Sequence, residues 1–273
     1  LINNNIEFGV YNQQHLQALQ NVNAKKIAKA HLKIDTGMSR LGLTPNEVWP
    51  YFKKLKTLKQ VQLQGVFSHL AVADEDVEFT KQQIDIFKEV VAELQKQVKI
   101  PLIHLTNSAG SSFMQDQSCC NLLRLGLALY GLKPSPNYPA QLKPALSFKT
   151  KIIQIKNVPA GAQISYGLTH RFTQPAVIAV LPIGYADGYD RGLSGCGEVL
   201  IKGQPCPVRG RVCMNLTMVE LSAKIKTKVG EEVVLIGQQG QNQITADEIA
   251  QKISTINYEI VTRINPQIKR VAI

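Results

Sequence analysis

His31-Leu32-Lys33-Ile34-Asp35-Thr36-Gly37-Met38-Ser39-Arg40-Leu41-Gly42 reads as a strand that runs into a loop. His31 to Ile34 alternate polar and apolar, the period of a short strand. At Asp35 the alternation breaks. Gly37 and Gly42 suit a backbone that must turn sharply or approach a ligand closely. The strand therefore delivers Lys33, Asp35 and Arg40 to a loop at its C-terminal end, where α/β folds bind their ligands. Charged loops are also ordinary surface features, so the segments on either side must decide between the two readings.

Working outward, Ile6 to Tyr11 is a short apolar run of strand type, and His15 to Leu19 reads as helix. After the quoted stretch, Thr44-Pro45-Asn46-Glu47 is a helix start, with Thr as N-cap, Pro in the first turn and Glu completing a capping box. Val61 to Leu70 is the next strand. Phe79, Ile84, Phe87, Val91, Leu94 and Val98 then recur at helical spacing, which predicts a long amphipathic helix. Leu102 to Leu105 is a strand, and Leu122 to Tyr130 is a further apolar run. Strands alternating with helices of crossover length imply a parallel sheet. Residues 1–136 are therefore expected to form the later part of a TIM-type (β/α)8 barrel.

The texture changes after Pro134, Pro136, Pro139 and Pro144. Helical periodicity gives way to short β-rich runs: Phe148 to Ile155, Ala176 to Leu181, Val199 to Ile201, Val208 to Cys213, Met218 to Leu221 and Glu232 to Ile236. Gly and Pro punctuate them, which predicts an all-β domain over residues 137–273. One late helix is signalled by the capping box Thr245-Ala246-Asp247-Glu248. The fold class is α/β followed by all-β.

The 273 residues suffice for a large core and one or two domains. No run of about eighteen apolar residues suggests a membrane span. The first residue is Leu1, and the start reads as neither a leader peptide nor a natural initiation site. The formal charge is +11, but the lysines are scattered and no basic block carries interleaved aromatics, which argues against nucleic-acid binding. The cysteines are Cys119, Cys120, Cys196, Cys206 and Cys213; an odd count without a Cys-x-x-Cys pair argues against a disulfide framework or a metal site. Free thiols fit a reducing compartment, so a cytoplasmic location is expected.

Three segments in the first half could carry chemistry. Ser68-His69-Leu70 closes a strand, though a lone His is usually structural. Asn107-Ser108-Ala109-Gly110 closes the next, and free amides after a strand can hold a phosphate. Leu123-Arg124-Leu125-Gly126 puts a guanidinium inside an apolar run, where it must meet polar partners. In the β domain, Tyr166, Tyr185 and Tyr189 each adjoin a Gly. They are either turn-flanking aromatics or phenols lining a cleft. A phenol acting as base at neutral pH needs its pKa lowered by roughly three units, about 4 kcal/mol.

Together these strings resemble the alanine racemase family. Lys-Ile-Asp-Thr-Gly-Met, Ser-His-Leu, Asn-Ser-Ala, Leu-Arg-Leu-Gly, Ser165-Tyr166-Gly167, Pro182 to Arg191, Arg211 to Met214 and Ile256-Asn257-Tyr258-Glu259 occur in the family's order over residues 31–259. The resemblance implies pyridoxal 5′-phosphate as cofactor, interconversion of L- and D-alanine, supply of D-alanine for peptidoglycan, and a homodimer with active sites at its interface. It implies Tyr166 as the catalytic phenolate donated across that interface, His69 as its tuning partner and Arg124 opposite the pyridine nitrogen. Ser108, Gly126, Leu127 and Tyr258 would hold the phosphate. Arg40 would contact the cofactor's phenolic side and the substrate, and Lys33 would match a lysine that is carbamylated in many members. Met214 and Tyr185 would bind the substrate carboxylate.

Two departures from the family pattern stand out. Asn215 follows Met214 where the family usually has Asp, which bears on alanine against other small amino acids. The Schiff-base lysine, expected in a Val-Lys-Ala-Asn-Ala-Tyr-Gly-like string near the amino terminus, has no counterpart in these residues. The chain is expected to enter the barrel at about the fourth strand and to be inactive alone. A broader-specificity racemase and a non-catalytic pyridoxal-phosphate-binding barrel protein are the competing readings; the strings from Ser165 to Asn215 argue against the second.

Overall fold

The computed structural model describes residues 1–22 and 26–272. They form two compact units, Leu1–Lys143 and a second from Pro144 onward.

The first unit alternates strand and helix: β1 (Phe8–Val10), α1 (Gln13–Gln20), β2 (Ala28–Lys33), α2 (Pro45–Lys56), β3 (Val61–Phe67), α3 (Val77–Gln95) and β4 (Leu102–His104). The strands pair in parallel in the order β1-β2-β3-β4, an open four-stranded sheet. Each helix buries one stripe on it. Leu16 and Leu19 of α1, Val48, Phe52 and Leu55 of α2, and Ile84, Phe87, Val91 and Leu94 of α3 meet Ala28, Ala30 and Leu32 of β2 in one core. These positions recur at three- and four-residue steps, so one helix face is apolar and the other solvated. α2 starts where predicted, the Thr44 N–H donating to Glu47 Oε2 over 2.9 Å. α3 is capped by Asp76, whose Oδ1 accepts the Phe79 N–H at 3.0 Å.

The apolar run Leu122 to Tyr130 is not a strand. It is an irregular segment ending in a 3-10 turn, Leu127–Tyr130. Leu122 and Leu123 are exposed, so their apolarity marks no core position.

The second unit is β-rich, with β5 (Phe148–Lys151), β6 (Gln154–Val158), β7 (Gln163–Ile164), β8 (His170–Arg171), β9 (Ala176–Leu181), β10 (Glu198–Ile201), β11 (Gln204–Pro207), β12 (Thr217–Leu221), β13 (Glu232–Gln239) and β14 (Asn242–Ile244). One antiparallel sheet runs β11-β10-β13-β14 with β5 also on β13, another runs β12-β9-β6, and β7 pairs β8. Val208 to Cys213, expected as a strand, makes only one bridge, Val208 to Val219. Gly210, at φ +72°, turns the chain out of extended geometry and packs against Ile164 and Ser165. The capping box at Thr245 opens α4 (Ala246–Lys252), with Glu248 N–H to Thr245 Oγ1 at 3.1 Å and Thr245 N–H to Glu248 Oε2 at 2.7 Å. A second helix, α5 (Asn257–Thr262), follows without a side-chain cap, which is why no sequence signal announced it.

Candidate active site

In the first unit the loop leaving β2 folds back on its own origin. The Asp35 N–H donates to Leu43 O over 2.8 Å, and the Leu43 N–H donates to Lys33 O over 2.9 Å. Asp35 Oδ1 accepts from the N–H groups of Gly37 (2.9 Å) and Ser39 (3.1 Å), so the carboxylate is committed to shaping its loop. Gly42, at φ +132°, is required: a Cβ there would fall 2.6 Å from the Asp35 nitrogen. The result holds Lys33 buried at the strand end, with its ammonium 4.6 Å from the centroid of the Phe67 ring.

The loops after β2 and β3 are tied together by a residue of α3. Gln83 is fully buried; its Oε1 accepts the Ala71 N–H at 2.8 Å, and its amide donates to Thr36 Oγ1 and to His69 O, both at 3.2 Å. Thr36 Oγ1 also meets Ser68 Oγ at 2.9 Å.

Arg124 meets the polar partners its apolar surroundings demanded. Its backbone N–H bonds Thr106 O at 3.1 Å, laying the segment beside the chain that continues β4. Nη1 lies 2.6 Å from His104 Nδ1, and Nη2 donates to Ser68 O at 2.7 Å and Leu105 O at 3.2 Å. His69 Nδ1 stands 3.4 Å from the same Nη2, and His69 Nε2 is 3.4 Å from the Asn107 amide. Next to Asn107, the Ser108 hydroxyl accepts from the N–H groups of Gly126 (2.9 Å) and Ala128 (3.3 Å), which joins the two predicted phosphate-holding segments. Leu127 is buried between these donors, and Arg40 is exposed on the β2 loop.

Cations dominate this cluster. Burial lowers the Lys33 amine from its ordinary value, and the charges of Arg124 and Arg40 lower it further against an opposing contribution from Asp35. His69 is pushed down to about 4, first by burial and then by Arg124, Arg40 and Lys33. His104 falls to about 3, first by burial and then by Arg124, His31 and Lys33. Both imidazoles are therefore neutral at pH 7. His104, His31, Phe67 and Gln83 are not among the site residues expected from the sequence, because no motif ties them to one another.

In the second unit, Ser165 stands at φ +66°, and its hydroxyl donates to Arg211 O at 2.7 Å. The guanidinium of Arg211 packs on Gly167, where a Cβ would come within 3.1 Å of Cζ. Tyr166, between them, is 74% exposed. The strings at 184–187 and 213–215 are brought together: the Tyr185 N–H bonds Cys213 O at 3.1 Å, and the Ala186 N–H bonds Met214 O at 3.0 Å. Tyr185, Met214 and Asn215 are all exposed beside this contact. Tyr258 is half-buried on α5. Tyr189 is different, being 2% exposed with no hydrogen-bond partner for its hydroxyl among the described residues, so it lines no cleft.

The family description "Alanine racemase, N-terminal domain" matches residues 1–134, and "Alanine racemase, C-terminal domain" matches residues 145–272. An alanine racemase of Halothermothrix orenii is 44% identical over 248 residues, covering 89% of this chain and 65% of that protein. One from Methylacidiphilum infernorum is 44% identical over 90% of this chain and 62% of its own length. The chain thus spans under two thirds of the length of both relatives. Among solved structures, an alanine racemase of Bacillus anthracis with bound L-Ala-P superposes with a TM-score of 0.89 at 37% identity, covering 96% of this chain and 69% of that one.

Proposed function

The chain belongs to the alanine racemase family, and from that premise we propose that its residues serve the interconversion of L-alanine and D-alanine with pyridoxal 5′-phosphate. The observation that carries this reading is the donor set around Arg124. Lys33, Arg40 and Arg124 converge where the nearest carboxylate, Asp35, is already committed to its own loop. Ser108 takes two backbone N–H groups while its own proton has no acceptor among the described residues, and a Cβ on Gly126 would meet nothing nearer than Ser108 Oγ at 4.0 Å. Open space beside a hydroxyl proton and cations suits an anionic phosphate carried on a ring.

When bound, the cofactor supplies an electron sink for the charge left as the substrate Cα loses its proton. Ser108, Gly126, Leu127 and Tyr258 would hold its phosphate. Arg124 would face its ring nitrogen; the guanidinium has only donors to offer, and its Nε–H makes no hydrogen bond among the described residues. A permanent cation there keeps the nitrogen unprotonated, in contrast to a carboxylate partner. His69, neutral and with Nδ1 facing the Arg124 donor, carries its proton on Nε2 and would present that N–H toward the catalytic phenolate. Tyr166 takes the Cα proton on one face. Arg211, packed on the adjoining Gly167, is the cation available to favour its phenolate. The Met214 N–H, Tyr185 and Arg40 would receive the substrate carboxylate.

Racemisation needs proton exchange on both faces of the same carbon, and one base would return the proton to the side it left. The family pattern assigns the second face to a lysine in a string that residues 1–273 do not contain. We therefore read the four parallel strands as later staves of a (β/α)8 barrel, and the 273 residues alone as inefficient. The proposed setting is a cytoplasmic homodimer supplying D-alanine to the cell wall.

The test is an assay of the full-length protein carrying these residues, loaded with pyridoxal phosphate, for D-alanine formed from L-alanine. A folded, loaded protein that forms none would overturn the reading. Turnover of serine and lysine in the same assay measures what Asn215 does to substrate range.

A further inference from the structure

Four side chains of the first unit stand in single file. Glu7 Oε2 lies 2.7 Å from His31 Nε2, His31 Nδ1 lies 3.0 Å from His104 Nε2, and His104 Nδ1 lies 2.6 Å from Arg124 Nη1. The file crosses the sheet, since His31 is on β2 and His104 ends β4, with β3 between them. Strands two apart are separated by roughly 10 Å, too far for two imidazoles to meet over an intervening side chain. The strand between has none at that point. A register shift in the β2–β3 pairing sets His31 opposite Gly65. A Cβ on Gly65 would fall 2.3 Å from His31 Nδ1, so the glycine is the gap through which the file passes. Phe67 then stacks on His104, with centroids 5.0 Å apart and planes at 11°, fixing the second ring.

The direction of every hydrogen bond in the file follows from its inner end. A guanidinium only donates. His104 Nδ1 must accept from it and is therefore bare. A neutral His104 then carries its proton on Nε2 and donates to His31 Nδ1. His31 in turn carries its proton on Nε2 and donates to the Glu7 carboxylate. Reversing either imidazole would set two N–H groups, or two lone pairs, against each other.

We propose that Glu7 and His31 are positioning residues for Arg124, locking the Nε2–H tautomer of His104 so that its Nδ1 lone pair aims the guanidinium at the cofactor ring. This rests on the reading of Arg124 as the ring-nitrogen partner. Removing the outer acceptor leaves His104 free to adopt the Nδ1–H tautomer, which faces the Arg124 N–H and expels it from its seat. The carboxylate is partly solvated, with 35% of its side chain exposed, so the file is held from its outer end.

The experiment uses full-length protein with 15N-labelled histidine and the variants Glu7→Leu, Glu7→Gln, His31→Leu and Arg124→Lys. Imidazole nitrogen shifts report the tautomer directly, in cofactor-free protein. Wild type should show His104 with bare Nδ1 and protonated Nε2 at pH 7. His31→Leu and Glu7→Leu should show mixed tautomers and bind pyridoxal phosphate about tenfold more weakly, the size of one lost charge-assisted hydrogen bond. Glu7→Gln keeps an acceptor oxygen and should restore both readouts. Wild-type His104 protonated on Nδ1, or variants that leave tautomer and affinity unchanged while Arg124→Lys weakens binding, would overturn the inference. Arg124→Lys without effect on affinity would instead remove the reading of Arg124 on which the inference stands.

Discussion

The Lys33 ammonium lies over the face of Phe67, 4.6 Å from the ring centroid, and makes no hydrogen bond or ion pair among the described residues. Phe67 also carries Arg124, whose Cζ is 5.5 Å from the same centroid. Burial first, and then the Arg124 charge on the same ring, favours loss of the Lys33 proton and lowers its pKa. A neutral amine adds carbon dioxide and releases a proton, giving an anionic carbamate beside Arg40 and Arg124. With 13C-bicarbonate, a carbamate resonance should grow as pH rises and vanish in Lys33→Met. Its persistence in Lys33→Met would assign it elsewhere.

Tyr166 and Tyr189 should part company on losing their hydroxyls. Tyr166→Phe removes the proposed proton acceptor and should lower kcat by roughly 10²–10⁴-fold with cofactor affinity kept. The Tyr189 hydroxyl is buried without a partner among the described residues, and burial raises its pKa. Tyr189→Phe should leave kcat unchanged and leave stability unchanged or raised by up to about 1 kcal/mol, since an unsatisfied polar group is removed. Equal, near-wild-type kcat in both variants would remove Tyr166 from the mechanism.

Acid should loosen the first unit through His104. Its folded value of about 3 lies below the ordinary 6.5, so the unfolded chain takes up a proton that the folded chain refuses. The contribution is intact above pH 6.5 and is lost progressively as pH falls toward 3. At pH 4 the loss amounts to about 3 kcal/mol. Urea midpoints from pH 7 to pH 4 should fall less steeply for His104→Gln, whose side chain does not titrate. Parallel slopes would mean that other groups dominate acid unfolding.

Gly184→Ala tests the meeting of the two strings in the second unit. An added Cβ would lie 2.2 Å from Cys213 O and 2.3 Å from Met214 O, both backbone atoms that cannot swing aside. Overpacking of this kind should cost about 3 kcal/mol. Thermal unfolding reads it, and a wild-type transition would show that the segments at 184–187 and 213–215 are free to separate.

Much of this was legible because local rules act over a few residues. Thr44-Pro45 and Thr245 to Glu248 announced their helices through hydrogen bonds closed within one turn. Ala176 to Leu181 was recognisable because a strand buried on both faces is apolar throughout. The wording of the strings around Lys33, His69, Ser108 and Arg124 led to one region: His69 stands 3.4 Å from Arg124, Lys33 and Arg124 share the Phe67 ring, and Ser108 accepts from Gly126. The apolar run Leu122 to Tyr130 could not be placed from sequence, because exposed leucines look like buried ones there. The pairing of His31 with His104 was out of reach for another reason: it depends on a register shift and on a glycine 34 residues further on, neither of which has a local signature. Gln83 was hidden likewise, as a polar residue in an amphipathic helix that turned out to face inward.

Gln83 has a consequence for how the site meets its ligand. One buried amide grips Thr36, His69 and Ala71, so the loops leaving β2 and β3 cannot fluctuate independently. Freezing a flexible loop at the moment of association subtracts from affinity. Here that ordering is completed during folding, by a residue on the helix that follows the second loop. An incoming ligand therefore meets two walls that already act as a single stiff part, and little of its interaction free energy is diverted into arranging them.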